Sequence, residues 1–442
     1  MSFIANDEPG PLPRILVAAH SHPRVQHGGS EVASYALFER LRHRSDIRSW
    51  YCGCSRTNAF ARAGQSITQP FERDEYLYTV GEFDGFRFAN RDMAFARDFR
   101  VLLQNLRPDI VHFHHYLNFG MEAFAHVREV LPEARIILTL HEFLAICHQQ
   151  GQMVTRQLGR PCGRSGYVEC NRCFPELQPA DFFIRDIYIR NFLKHVDHYV
   201  APSHFLAQRY IDWGIPRERI SIIENVSRAT VSSRPRQGDR PSGALRVGFF
   251  GQISMLKGIQ VVIEAAAILQ AEERSDIVLV IHGDHSNQPE SFRAGFLSQV
   301  DAFGANIGFE GAYANGDVDM LMAEVDVVLV PSVWWENSPV VIQEAFRNGR
   351  PVICSDIGGM AEKVTHGETG LHFKAGSARA LAGVLKALVA DPARLAALED
   401  HVARLHPQDD PLAAHLQLYR TVRIGAPGRL GLPADVSALD PS

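Results

Sequence analysis

Glu336-Asn-Ser-Pro-Val-Val-Ile-Gln-Glu344 places two carboxylates eight positions apart on either side of an expected helix start. Ser338 is a good N-cap by type, and Pro339 suits the first helical position, where a backbone N–H is not needed. Val340, Val341 and Ile342 then carry the helix toward a core. Glu336 is left in the preceding loop, and Glu344 lies roughly two turns along the helix. The N–H groups of the first turn form an anion seat. One carboxylate at the tip, one on the flank and a phosphate seat between them suit a nucleotide-sugar.

Two glycine-bearing segments could meet the same ligand. Gly28-Gly29-Ser30 follows a first strand and opens a helix. Glycines let backbone approach a phosphate and the helix start attracts its charge, although a plain turn explains the pair equally well. Gly251-Gln-Ile-Ser-Met-Leu-Lys257-Gly258 stands between a strand and a helix, so Lys257 can reach a diphosphate lying over the loop. A solvated surface lysine is the alternative. No G-x-G-x-x-G is present, which argues against a nicotinamide cofactor.

Cys147, Cys162, Cys170 and Cys173 form a second constellation. Cys170-Asn-Arg-Cys173 has the spacing of a zinc knuckle, and four thiolates could close a structural zinc site that fixes the polar, glycine-rich insert 147–176. Disulfides or separate thiols are the alternatives. His112-Phe-His114-His115 reads as a strand end rather than a metal cluster, because alternation sends His112 and His114 to one face and His115 to the other. Residues 182–194 mix aromatic, apolar and basic types at helical spacing. They read as a packing helix with a solvated charged face, and peripheral attachment to an anionic membrane is the second reading.

These residues need elements to hold them. Strands are expected at 14–19, 109–113, 135–140 and 198–201, with a helix at 31–42. Each apolar run is bounded by polar or turn residues, as parallel strands covered on both faces require. Residues 226–243, rich in Ser, Arg, Pro and Gly, have almost nothing to bury and read as a linker. The same grammar restarts at 245–250 and continues with strands at 276–281, 306–309, 326–330 and 351–354. Two doubly wound α/β domains follow: 1–226 with the insert 147–176, and 245–405, joined by a linker over 227–244. A last helix at 411–423 and a mobile tail from Gly425 make up 406–442. Ligands of such sheets gather at the carboxyl ends of the strands, so the expected site is the cleft between the domains.

Composition agrees. A chain of 442 residues exceeds one ordinary core, and 46% apolar with 21% charged residues is the mix of a soluble protein. The net charge of -5 gives no reason to expect nucleic-acid binding. No apolar run approaches the roughly 20 residues that span a bilayer. The start lacks a signal-peptide core, and the seven cysteines are odd in number, which points to reduced thiols and a cytoplasmic chain.

Gly28-Gly29, the loop from Gly251 to Gly258, Asp326-Val-Val-Leu-Val-Pro331-Ser, the Glu336 to Glu344 stretch, and Gly358-Gly359-Met-Ala-Glu362 with Gly367-Glu-Thr-Gly370 follow one another in order. In that order they resemble glycosyltransferase family 4, retaining nucleotide-sugar enzymes of the GT-B fold, over about residues 14 to 395. The resemblance implies two Rossmann-like domains facing across a cleft. It implies that Glu344 accepts from the two vicinal ribose hydroxyls, which a carboxylate can do with two oxygens. Glu336 would hold hydroxyls of the donor sugar, and Lys257 with the N–H groups near Ser338, Pro339 and Val340 would hold the diphosphate. Gly29, beside Gly28, would approach it from the first domain. His141, in Thr-Leu-His141-Glu, would lie beside the transferred sugar. Asn225 matches a family asparagine that serves here either the site or the domain junction.

One position departs from the pattern. Gln252 stands where the family usually has arginine, and glutamine donates to a phosphate oxygen without bringing charge. Either another cation substitutes, with Arg24 the candidate, or donor binding is weaker. The implied reaction moves a hexosyl group from a UDP- or GDP-sugar to a hydroxyl of a glycan or lipid-linked glycan, with retention. It requires no cofactor for catalysis, and no Asp-x-Asp metal motif is evident. A GT-B nucleotide-sugar epimerase and a degenerate sugar-nucleotide-binding partner subunit are the alternatives. A lipid-linked acceptor would bring the chain to the inner face of the membrane.

Overall fold

The computed structural model describes residues 13–26, 28–226, 243–314, 316–405 and 410–424. Of the expected linker only Gly243 and Ala244 fall within these, and the expected tail from Gly425 lies outside the described residues. Contacts divide the chain into two compact units. The first holds residues up to Gly151, those from Gly163 to Val226, and those from Asp410 onward. The second holds Gln152–Cys162 and residues 243–405.

In the first unit the chain runs β1 (Arg14–Ala18), α1 (Gly29–Arg42), β2 (Arg48–Ser55), β3 (Ile67–Thr68) and β4 (Glu75–Thr79). A hairpin of β5 (Phe83–Asp84) and β6 (Ala89–Asn90) leads to α2 (Met93–Leu106), β7 (Ile110–Phe113), α3 (Glu122–Val130) and β8 (Arg135–Thr139). Then come α4 (Tyr167–Cys173), α5 (Pro179–Leu193), β9 (His198–Ala201), α6 (His204–Trp213) and β10 (Ile220–Ile222). The sheet order is β10-β9-β8-β7-β1-β2-β4-β3, parallel except for the β3–β4 pair. β1 sits centrally because Ile15, Leu16, Val17 and Ala18 are all buried, which leaves no polar face to turn outward. β2 was not expected. Its Arg-Ser-Trp-Tyr-Cys-Gly-Cys-Ser sequence lacks β-branched residues, yet everything after Arg48 is buried, with Cys52 and Cys54 packing as small apolar groups.

The second unit runs β11 (Leu245–Phe250), α7 (Ile259–Ala271), β12 (Ile277–His282), α8 (Glu290–Ala302), β13 (Ile307–Gly311) and α9 (Val318–Ala323). It continues with β14 (Val327–Val330), α10 (Val340–Arg347), β15 (Val352–Ser355), α11 (Gly358–Lys363), β16 (Gly370–Phe373), α12 (Ala378–Ala390) and α13 (Pro392–Ala403). Its six strands are all parallel, in the order β13-β12-β11-β14-β15-β16. Alternation along β11 sends Leu245, Val247 and Phe249 into one core and Phe250 into the other. The last helix, α14 (Pro411–Thr421), returns to the first unit. Leu412, Leu418 and Tyr419 join its core, and Arg40 grips Asp410 through two bonds of 2.8 and 2.9 Å.

α5 corrects one expectation. Its charged residues are not solvated: Arg185, Asp186 and Arg190 are buried, while Ile184 and Ile187 are exposed. The buried guanidiniums are satisfied locally. Arg185 donates to the carbonyls of Phe86, Ala145 and Leu144. Arg190 donates to Asp186 and to the Trp213 carbonyl, with its guanidinium 3.8 Å from the Trp213 ring centre. Among the described residues no helix is long and apolar enough to cross a membrane.

Candidate active site

The second unit builds its site where two loops at the carboxyl edge of the sheet are laced together. The loop after β11 ends at Gly258, whose φ of 77° lies in the left-handed region, and a Cβ there would stand 2.0 Å from the Pro331 carbonyl oxygen. Only glycine lets the loop lie that close to the end of β14. The Val333 amide then donates to the Leu256 carbonyl at 2.9 Å. With the backbones locked, Lys257 Nζ reaches Glu336 Oε1 at 2.6 Å. Ser332 Oγ donates to the same oxygen at 2.8 Å and Trp334 Nε1 at 2.9 Å. Glu336 is buried and held on one side by these donors, while Lys257 stays one-third exposed and 5.8 Å from the Trp334 ring centre. α11 supports the backbone of the same segment. The Gly359 amide donates to the Glu336 carbonyl at 2.7 Å, and a Cβ on Gly359 would lie 1.8 Å from the Asn337 carbonyl.

α10 begins one residue later than its sequence suggests. Pro339 is the N-cap, with φ -60° and ψ 121°, and no side chain caps the helix, so Ser338 is not its cap. The proline ring fixes φ, but the extended ψ keeps Pro339 outside the helix, and its side chain has no oxygen to offer the first turn. Val340 is therefore the first helical residue and Glu344 lies about one turn on. Burial raises the Glu344 carboxyl above the usual range, with Asp319 adding to the effect and Arg347 opposing it. Glu344 in turn acts on Tyr313, whose hydroxyl is pushed up chiefly by burial. Tyr313 packs edge-on against a stacked Phe250–His282 pair and lines a cavity of about 320 Å³ with His282, Glu310 and Asp317. Gln252 is exposed on the β11 loop.

In the first unit the strand ends carry linked imidazoles. His114 Nδ1 lies 3.0 Å from Nε2 of His141, just past β8. His115 Nε2 contacts Glu142 at 2.9 Å and its ring sits 4.4 Å from that of His20. His20 in turn reaches Glu31 at 3.1 Å. Burial, then the neighbouring His115 and His20, pushes His141 down to about 3, so its imidazole is neutral. Burial pushes Glu142 up to about 7. His112 is occupied elsewhere, between Tyr419 of α14 and Thr139 at 2.7 Å each. Alternation thus separates the histidines as expected.

Glu31 is the residue that sequence reasoning missed. Although burial raises it, bonds from His20, its own amide and Ser30 hold it down to about 2. Its carboxylate folds back over the start of α1, where a Cβ on Gly28 would lie 2.4 Å from Oε2. A side chain at Gly28 would displace the tip of Glu31, and Gly29 is exposed beside it. The signal was available as an acidic residue in the first turn of a helix opened by two glycines. Arg24 pairs with Glu72 at 3.4 Å and stacks on Phe71, and the Asn225 amide donates to Glu224.

Two family models divide the chain. Residues 27–226 match Glycosyltransferase Family 4 and residues 233–403 match Glycosyl transferases group 1. The chain belongs to the family 4 glycosyltransferases. It is 30% identical over 204 residues to a D-inositol 3-phosphate glycosyltransferase of Rhodococcus opacus, a match covering 43% of this chain and 45% of the relative. A phosphatidyl-myo-inositol mannosyltransferase of Mycobacterium leprae is 27% identical over 186 residues, 42% of this chain and 48% of the relative. The chain thus spans about half the length of the curated relatives it matches. Among solved structures, Anabaena HepE with UDP and glucose aligns with TM-score 0.64 at 18% identity, covering 92% of this chain and 99% of that one. Sucrose-phosphate synthase from Thermosynechococcus elongatus aligns with TM-score 0.67 at 18% identity, covering 93% and 98%. These neighbours establish the GT-B fold.

The family 4 frame does not account for the cysteines. Among the described residues no group of three or more His, Cys, Asp or Glu is placed to hold a metal ion. Cys170 lies in the middle of the short α4 and Cys173 ends it, and Cys147 and Cys170 act on the buried guanidinium of Arg185.

Proposed function

We propose that this family 4 glycosyltransferase transfers a hexosyl group from a nucleotide diphosphate sugar to a hydroxyl of a glycan or lipid-linked glycan, with retention of anomeric configuration. The observation that carries the reading is the Lys257–Glu336 pair beside the uncapped start of α10. Ser332 and Trp334 hold Glu336 in place even when Lys257 turns away, so the lysine can leave for an incoming diphosphate without stranding a buried carboxylate. Glu336 then offers acceptor oxygens to the hydroxyls of the donor sugar. Lys257 and the first amides of α10 neutralise the charge that grows on the departing diphosphate, which is where preorganised donors lower the barrier most.

Glu344 holds the ribose through its two carboxylate oxygens. The UDP bound by Anabaena HepE supports a nucleoside diphosphate donor. Gln252 adds an amide contact to the phosphates, and neutral His141 offers a hydrogen bond to the transferred sugar. The leaving phosphate takes the acceptor proton on the same face. Peripheral membrane contact would rest on the exposed apolar residues Ile184 and Ile187 of α5, because its arginines point inward.

A thermal-shift screen of UDP-, GDP- and ADP-sugars tests the reading. A donor present at a hundred times its dissociation constant adds about 2.7 kcal/mol of stability. Glu344→Ala is expected to abolish that shift, and the product formed with acceptor should keep the donor's anomeric configuration. No stabilisation by any sugar nucleotide, or conversion of donor without acceptor, refutes it.

A further inference from the structure

His114 is buried, 3% exposed, and has two nitrogens to satisfy. Nδ1 meets His141 Nε2 at 3.0 Å, while Nε2 has no hydrogen-bond partner among the surrounding protein groups. The two rings lie nearly parallel, 27° apart with centres 5.3 Å apart, so the contact is fixed by packing on both sides. On the other face the His112 ring stands 4.6 Å away. The backbone is fixed too: the His114 amide donates to the Ala18 carbonyl of β1 at 2.7 Å.

One proton is shared across the Nδ1–Nε2 contact, and two arrangements are open. If His141 donated from Nε2, His114 would accept at Nδ1 and bury an unpartnered N–H at its own Nε2. If His114 donates from Nδ1, only a lone pair is left unpartnered. An orphaned buried N–H is the rarer and costlier of the two. Burial, followed by His112 and His141, also pushes His114 well below the usual imidazole range, so the neutral ring is the relevant one.

We propose that His114 is a positioning residue: by donating from Nδ1 to His141 Nε2 it holds His141 as the Nδ1–H tautomer in a single orientation. This rests on the reading of His141 given under Proposed function. His114 itself touches no substrate.

Long-range ¹H–¹⁵N spectra of histidine-labelled protein test the tautomer without reference to activity. His141, assigned by its loss in His141→Ala, should show the Nδ1–H pattern in the parent and in His114→Asn, whose side-chain amide places a donor where Nδ1 stands. The pattern should mix or invert in His114→Phe. In transfer assays His114→Phe should lower kcat by about tenfold at nearly unchanged donor KM, the scale of one lost hydrogen bond, with His114→Asn restoring most of it. An Nε2–H tautomer in the parent, or an unchanged His141 pattern in folded His114→Phe, overturns the proposal. If the parent transfers no sugar, the functional reading fails and the spectra alone decide the tautomer.

Discussion

Glu75 holds the β1–α1 loop, and its removal should be felt across the first unit. Its side chain is wholly buried. Oε1 accepts from Tyr35 Oη at 2.7 Å and from Arg42 at 3.4 Å, and Oε2 meets His22 Nε2 at 3.1 Å. His22 Nδ1 accepts the Arg24 amide at 3.1 Å, so the ring proton is on Nε2 and that bond runs from His22 to Glu75. Glu75→Ala leaves two buried donors without an acceptor, at about 1–3 kcal/mol each. The expected loss is ~3–5 kcal/mol, as for other buried pairs broken from one side. Glu75→Gln keeps one acceptor oxygen but sets an NH₂ group against a donor, and should cost about 1–3 kcal/mol. Urea unfolding followed by the fluorescence of Trp50, on the adjoining β2, reads both. The pH dependence has a definite sign. Burial would raise the Glu75 carboxyl, but His22 and Tyr35 hold it below its ordinary value. Its contribution is therefore full above the unfolded value of about 4.3 and is lost as pH falls through the folded one. Glu75→Ala should flatten that acid limb. A loss under about 1 kcal/mol with unchanged urea slope, or Gln costing more than Ala, refutes the network as described.

Gly359→Ala and Gly383→Ala form a matched pair in the second unit. The first puts a methyl 1.8 Å from the Asn337 carbonyl and should destabilise by ~1–3 kcal/mol while weakening the thermal shift given by a sugar nucleotide. The second fills open space within α12 and should stabilise by up to ~1 kcal/mol with donor binding unchanged. Glu142→Gln tests the opposite pH sign from Glu75. A carboxyl pushed up to about 7 binds more protons folded than unfolded, so its effect on stability worsens as pH rises from about 4.5 to 7. The variant should melt higher than the parent at pH 8 and show little difference at pH 5; equal melting at both refutes the assignment.

Elements that announce themselves by short β-branched runs were legible: β9 and β11 have the expected bounds, and β1, β7 and β8 differ only at an end. β2 was not, because a strand buried through Tyr, Cys, Gly and Ser has no apolar period to read. The Lys257–Glu336 ion pair was legible only as two separate residues. That they meet was not, since 79 residues separate them. Ser332 and Trp334 were within reach, standing four and two residues before Glu336. α5 misled because hydropathy cannot distinguish an arginine in water from one satisfied by three carbonyls.

The missing arginine at position 252 can now be weighed against where each unit keeps its negative charge. The helix that follows Gly28-Gly29 already has an anion at its start, since Glu31 lies over the first turn and is ionised down to about pH 2. That end of α1 is compensated within the chain and gives a diphosphate little to gain. α10 is the contrary case. Its cap is a proline with no oxygen, its first turn carries no acidic residue, and Lys257 stands at the adjoining loop. Of the two helix starts, only α10 has an uncompensated positive end. On the proposed donor seat, Gln252 leaves out one cation while the helix end and the lysine remain, which predicts weakened but not abolished donor binding, and Gln252→Arg should lower the donor dissociation constant by about tenfold if the lost group was a charge-assisted bond of ~1.5 kcal/mol.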